Sequence, residues 1–156
     1  MIARGLQSSL LAAVLIMSMQ TLAWAQSDPL SQYRWKNRPL LIFAADIEDQ
    51  NVQATRELLD ASECQLEDRD MVIGWILERG DSQLGMAPLS SRAADNIRSQ
   101  FRIRGGGFSV VLVGKDGGVK ARYAKAPDLD DVFSLIDGMP MRRSEMRERG
   151  LSCDAD

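Results

Sequence analysis

Two β-prone runs flank a glycine-rich turn in Phe108-Ser-Val-Val-Leu-Val113, Gly114-Lys-Asp-Gly-Gly118 and Val119-Lys-Ala-Arg-Tyr123. An Asp-Gly pair supplies the positive φ angles that a tight hairpin turn requires, so the sequence predicts two antiparallel neighbouring strands. The second run alternates Val, Ala and Tyr with Lys and Arg, which is typical of an edge strand with one solvated face.

Two continuous apolar runs, 39–45 and 71–77, precede this hairpin. Their length and composition predict strands that are buried on both faces. Between them, Asp49 can cap a helix from about Gln50 to Ser62. The segment 80–89 is predicted to be a loop, because glycine and proline interrupt it. The predicted inner face of the first helix comprises Val52, Thr55, Leu58 and Leu59.

Three more helices complete the pattern. Ser90 or Ser91 caps one before the hairpin, Asp128 caps one after it, and 140–150 forms a short arginine-rich helix. The order β-α-β-α-β-β-α, with an extra short C-terminal helix, predicts an α/β domain built on a parallel sheet with an antiparallel edge. This order is similar to the thioredoxin-like fold, and a generic three-layer α/β sandwich is the alternative.

The first 25 residues are typical of a cleavable export signal. Arg4 precedes an apolar segment at 10–19, and Ala23-Trp24-Ala25 gives the small-x-small pattern for cleavage after Ala25. The apolar segment is too short to span about 30 Å of hydrocarbon, so we expect no membrane insertion after cleavage and a periplasmic or secreted protein. The predicted organisation is a signal peptide at 1–25, a polar lead-in at 26–38, the domain at 39–150 and a tail at 151–156.

The composition excludes several chemistries. The 156-residue chain has no histidine and two cysteines, which excludes Ser-His-Asp and Cys-His catalysis, histidine metal sites and cysteine-rich zinc sites. Its net charge of −3 argues against a nucleic-acid partner. In an oxidising compartment we expect Cys64 and Cys153 to form a disulfide, with free or intermolecularly paired thiols as the alternative.

Three strings resemble one known family. They are Tyr-Arg-Trp-Lys-Asn-Arg-Pro-Leu at 33–40, Val-Gly-Lys-Asp-Gly-Gly-Val-Lys at 113–120 and Ile-Asp-Gly-Met-Pro-Met-Arg-Arg at 136–143. Together they resemble the domain-of-unknown-function family 4174, over roughly residues 30–149. That family occurs as secreted bacterial proteins and as a module of extracellular-matrix and sushi-repeat-containing animal proteins. The resemblance implies a thioredoxin-like fold and assigns no activity to any residue.

A thioredoxin-like oxidoreductase carries its reactive cysteine at the start of the helix after the first strand, where the helix dipole lowers the thiol pKa. Here the matching segment, 44–51, contains no cysteine, and glycines 105–107 stand where such enzymes place a cis-proline. The sequence therefore favours a non-enzymatic binding module of the cell envelope. The alternative is an atypical thiol redox or peroxide-handling enzyme.

An oxygen-rich cluster lies in the same segment, at Asp46, Glu48, Asp49 and Asn51. Such oxygens could hold Ca²⁺, but their spacing does not match an EF-hand loop, and acids at a helix N-terminus also serve as caps. Capping is the favoured interpretation, and we predict no metal and no cofactor.

The candidate interaction surface is on the C-terminal helix. It comprises Arg142, Arg143, Arg147 and Arg149. Arginine suits bidentate contact with phosphate, sulfate or carboxylate, so the expected partner is an envelope protein or an anionic glycan. The alternatives are a solvated helix face, or internal pairing with Asp137 or with the acidic loop at 46–49.

Overall fold

Six strands form one mixed sheet in the computed structural model, which describes residues 28–149 and 153. The strands are β1 (Arg38–Ala44), β2 (Met71–Leu77), β3 (Ser82–Leu84), β4 (Ala87–Leu89), β5 (Ser109–Val113) and β6 (Val119–Tyr123). Their spatial order is β4-β3-β2-β1-β5-β6. The predicted signal peptide and its cleavage after Ala25 lie outside the described residues.

In the described part of the chain, five α-helices accompany the sheet, after a 3₁₀ turn at Ser31–Tyr33. They are α1 (Gln50–Asp60), α2 (Glu63–Asp68), α3 (Ser91–Gln100), α4 (Leu129–Asp137) and α5 (Pro140–Arg149). The predicted caps are confirmed, because the side chains of Asp49, Ser90 and Asp128 each accept a hydrogen bond from a backbone N–H in the first turn. No helix in the described part of the chain is long and apolar enough to cross a bilayer.

The sheet is less parallel than the sequence predicts. Strands β1 and β2 are parallel, but β5 runs antiparallel to β1, with Ser109 opposite Phe43. The reason is the connection into β5. After α3, the glycines at 105–107 lie beside the end of β2, where the Gly106 N–H donates to Glu78. The chain therefore enters β5 from the end at which β1 and β2 finish.

The predicted loop at 80–89 contains the hairpin of β3 and β4, so this part of the prediction is wrong. The turn is made by Gly85, whose φ of +59° suits glycine, and Met86. The Ser82 hydroxyl accepts a hydrogen bond from the Leu77 N–H and donates to the Leu77 carbonyl. Short strands with such side-chain support form despite a loop-like composition.

Helices cover both faces of the sheet. Helices α1 and α4 pack on one face, and α3 packs on the other with the segment around Leu30. On α1, Val52, Thr55 and Leu59 are buried as predicted, but Leu58 is 41% exposed. Those three residues already fill the stripe that meets the sheet, and Leu58 projects about 100° away from Leu59 around the helix.

Candidate binding site

The three strings at 33–40, 113–120 and 136–143 meet at the end of the sheet where β1 begins and β5 ends. The Trp35 N–H donates to the Lys115 carbonyl at 2.6 Å, and Arg34 Nε donates to the Asp116 carbonyl at 3.1 Å. Between the strings lies a groove of about 440 Å³, called the Trp35 groove below. Its lining comprises Trp35, Arg38, Gly114, Lys115, Asp116, Lys120, Met139, Pro140 and Met141.

Trp35 is the most unusual residue of the groove. Its side chain is 63% exposed, and its φ of +65° lies in the left-handed region that large residues rarely adopt. Such a conformation costs about 1–3 kcal/mol and is found where a site needs a particular side-chain position. An aromatic side chain stabilises the folded state mainly through burial, and Trp35 is not buried. Its position is therefore typical of a binding residue.

The opposite wall of the groove is the start of α5. Pro140 is the first residue of this helix, where its missing N–H is no loss. Met139 and Met141 flank it, and Met141 is 40% exposed. Unbranched methionine side chains adapt to the shape of a ligand and are common at binding surfaces.

Two buried cations form the floor of the groove. The Glu145 carboxylate on α5 accepts hydrogen bonds from Arg38 Nη1 and Nη2, at 3.0 and 3.1 Å, and from Lys115 Nζ at 2.7 Å. Burial alone would raise the pKa of Glu145, but the hydrogen bonds and charges of Arg38 and Lys115 outweigh it and leave that pKa below its usual value. Glu145 is therefore ionised at neutral pH, and it fixes α5 over the first residue of β1.

Arg142 is not part of a surface, so its place in the predicted interaction surface is wrong. Its side chain is fully buried, and Nε donates to Asp137 at 3.0 Å while Nη1 donates to the Asp68 carbonyl at 2.7 Å. Nη2 also pairs with the Asp68 carboxylate. The internal pairing with Asp137, an alternative drawn from the sequence, is confirmed.

The other three arginines of α5 differ among themselves. Arg149 pairs with Asp70 at 2.9 Å and is half exposed. Arg143 and Arg147 are exposed and donate to Gly138 and Ser144 near their own positions on the chain. Their role in binding stays a prediction. Arg142, Glu145 and Arg149 lie on one helix face, because their spacing is i, i+3, i+7.

Arg98 occupies the end of the sheet where a thioredoxin-like enzyme carries its reactive cysteine. Its Nη2 donates to the carbonyls of Ala44 and Ile76, at 3.1 and 2.6 Å. In the oxygen-rich cluster, Asp46 pairs with Arg79, and Asp49 caps α1 by accepting from the Asn51 N–H at 2.8 Å. Ion pairing accounts for Asp46, and capping accounts for Asp49.

A disulfide joins Cys64 on α2 to Cys153 beyond α5, with the two Cα atoms 5.9 Å apart. This pairing confirms the prediction. The chain has two cysteines in all, so thiol chemistry would first require this bond to open.

The family model for "Domain of unknown function (DUF4174)" matches residues 29–145. The chain belongs to this family. The DUF4174 domain is 30% identical over 146 residues to coiled-coil domain-containing protein 80 of Danio rerio, covering 81% of this chain and 17% of that protein. It is 26% identical to the sushi repeat-containing protein SRPX2 of Xenopus laevis, covering 80% of this chain and 29% of that protein. The chain thus spans less than a third of these relatives.

Among solved structures, the DUF4174 domain is similar to the reduced 2-Cys peroxiredoxin of Plasmodium vivax. The TM-score is 0.54 at 14% identity, over 74% of this chain and 84% of that one. At this identity the likeness concerns the fold alone. Together with the sheet order, it shows that the DUF4174 domain has a thioredoxin-like fold.

The sequence pattern does not predict most of the groove, although the three strings that form it are distinctive. Trp35, Met141 and Glu145 are not among the predicted site residues. The available signal was a tryptophan in a mostly polar lead-in that also contains Leu30 and Tyr33. Alternation of basic and acidic residues at helical spacing in α5 was a second signal, and it points to internal pairing.

Selective quenching of Trp35 is the first testable expectation. In protein starting at Gln26, Trp35→Phe and Trp75→Phe variants each leave one tryptophan. Acrylamide should quench Trp35 severalfold more strongly than Trp75, because the two side chains are 63% and 8% exposed. Stern–Volmer plots measure this. Equal slopes for the two variants would contradict the exposed position of Trp35 on the rim of the groove.

Proposed function

We propose that this protein is a non-enzymatic binding module, exported to the periplasm or outside the cell, that holds a segment of an envelope protein in the Trp35 groove. The observation that carries the proposal is the exposed Trp35, held with a positive φ above a groove whose rim is apolar. Groove volumes of about 300–1,000 Å³ are usual for ligand sites. Export is supported by the signal pattern at 1–25 and by the Cys64–Cys153 disulfide, because disulfides persist in oxidising compartments.

The chemistry of the rim favours a protein segment over a glycan. Trp35, Met139 and Met141 offer an aromatic ring and thioethers, which gain energy by excluding water from an apolar side chain. Sugar hydroxyls need polar partners, which these three side chains do not offer, and burying hydroxyls against them costs free energy. An anionic glycan bound at the exposed Arg143 and Arg147 is the competing outcome in the test below.

The test compares retention of the mature protein on its own envelope fraction. Truncating a tryptophan at the centre of an interface costs about 2 kcal/mol or more, so Trp35→Ala should weaken retention about thirtyfold. Met141→Ser should weaken it less. Neither change should alter the melting temperature much, because both side chains are substantially exposed.

Met86→Ser is the matched control. Met86 is fully exposed in the turn between β3 and β4. Strands β4 and β6 are the two opposite edges of the sheet. This variant should retain the partner like the wild type. Loss of retention with Met86→Ser, or full retention with Trp35→Ala, would contradict the proposal. If only the Arg143→Gln/Arg147→Gln variant loses retention, the arginines, and not the groove, bind the partner.

A further inference from the structure

The Trp35 groove changes its chemistry with depth. Trp35 and Met141 at the rim are apolar and exposed, and Met139 is partly buried, whereas Arg38 and Lys115 at the floor are 1% and 6% exposed. A ligand that enters the groove therefore contacts the indole and the thioethers along its sides, and meets positive charge at its tip.

Arg38 and Lys115 at the floor are matched by two carboxylates, and Arg149, which is half exposed and outside the groove lining, brings a third cation to the same cluster. Among the described residues, three cations, Arg38, Lys115 and Arg149, share two carboxylates, Glu145 and Asp70. Lys120 and Asp116, which also line the groove, pair with each other at 2.8 Å and add no net charge. The cluster as a whole therefore carries one surplus positive charge, which favours an anion from outside.

Arg38 also has an unused donor. Its Nε is buried, and it has no hydrogen-bond partner in the part of the chain that the structure describes. A buried N–H without an acceptor is unusual in folded proteins, and it points to an acceptor that a ligand supplies. Arg38 thus combines a position in the groove, a positive charge and a free hydrogen-bond donor.

We propose that the groove binds the carboxyl-terminal residue of a partner polypeptide. Its terminal carboxylate lies at the floor with Arg38 and Lys115, and its apolar side chain lies between Trp35 and Met141. The inference rests on the proposed function and names the part of the partner that is bound. Guanidinium and ammonium groups form strong charge-assisted hydrogen bonds with a carboxylate, and capture of a chain terminus is a recurring mode of peptide recognition.

A chain end fits this groove better than an internal acidic side chain does. The terminal residue carries its carboxylate and its apolar side chain together, in the order that the groove requires. An internal segment would bring polar backbone against the apolar rim on both sides of the acid, where burial without partners is unfavourable.

The test uses two pools of hexapeptides that end in Leu, Ile, Met or Phe, one with a free carboxyl terminus and one amidated. Binding is followed by Trp35 fluorescence in the Trp75→Phe variant, and by calorimetry with unaltered mature protein in case that variant folds poorly. The free-acid pool should bind at least tenfold more tightly than the amidated pool. Raising the salt concentration should weaken the first and leave the second nearly unchanged, because screening acts on the charged contact.

Equal binding of the two pools would overturn the inference. So would decanoate binding as tightly as the free-acid peptides, because a lipid carboxylate would then be the better ligand. If neither pool binds while envelope retention still depends on Trp35, the carboxyl-terminus assignment fails and the proposed function stands. If retention does not depend on Trp35, the proposed function itself fails.

Discussion

The Arg142→Met variant is expected to lose about 3–5 kcal/mol of the free energy of unfolding, because removing one partner of a buried ion pair leaves the other partner uncompensated. Arg142 is fully buried and donates to Asp137 and to both the backbone and the carboxylate of Asp68. Asp137 keeps Arg69 at 2.6 Å and Asp68 keeps Arg69 at 3.8 Å, but Asp68 loses the ion pair and the backbone contact that Arg142 makes with it. Urea unfolding followed by circular dichroism measures the change.

Arg143→Met is the matched control for this change. Arg143 is the next residue on α5, is exposed, and contacts the Gly138 carbonyl. Its replacement should change the free energy of unfolding by about 0.5 kcal/mol or less. A loss below about 1 kcal/mol for Arg142→Met, or equal losses for the two variants, would contradict a structural role for Arg142.

Removal of the disulfide should have a comparable effect. The Cys64→Ala/Cys153→Ala variant is expected to lose about 2–5 kcal/mol, because the bond closes a loop between cysteines 89 positions apart and restricts the unfolded chain. The chain-entropy relation gives about 4.6 kcal/mol for a loop of this length. The double substitution leaves no unpaired thiol to react.

Urea unfolding of the wild type and of this variant measures the loss in the free energy of unfolding. The difference between the two midpoints reports it when the two transitions have equal slopes. Reduced wild-type protein should unfold at the midpoint of the variant. Alkylation of both cysteines in the native, unreduced protein would contradict the pairing. An unchanged midpoint would show that the bond contributes nothing to stability.

Local signals predicted most of the secondary structure. Asp49, Ser90 and Asp128 act as caps because capping depends on a side chain and a backbone N–H two or three residues away. The Asp-Gly turn before β6 is local in the same way. The prediction that Leu58 is buried was wrong, because helical spacing identifies the inward face of a helix but does not say how wide the buried part of that face is.

Long-range partners account for what the sequence could not predict. Arg142 meets Asp68 across 74 residues, and Arg38 meets Glu145 across 107. An arginine run on a helix has the same composition whether it is solvated or buried against acids. The antiparallel direction of β5 relative to β1 was not predicted for a related reason. The alternation of strands and helices does not say at which end of the sheet the chain enters the next strand.

The position of Arg98 affects how well the loops at one end of the sheet tolerate changes in sequence. One guanidinium nitrogen joins the carbonyls of Ala44, the last residue of β1, and Ile76, one residue before the end of β2, so the ends of two neighbouring strands are tied to each other and to α3. The loops that follow, 45–48 and 79–81, start from fixed points, provided that Asp49 and Glu78 keep their contacts with α1 and Gly106. This end therefore suits the grafting of foreign loops, with the Trp35 groove left undisturbed at the opposite end.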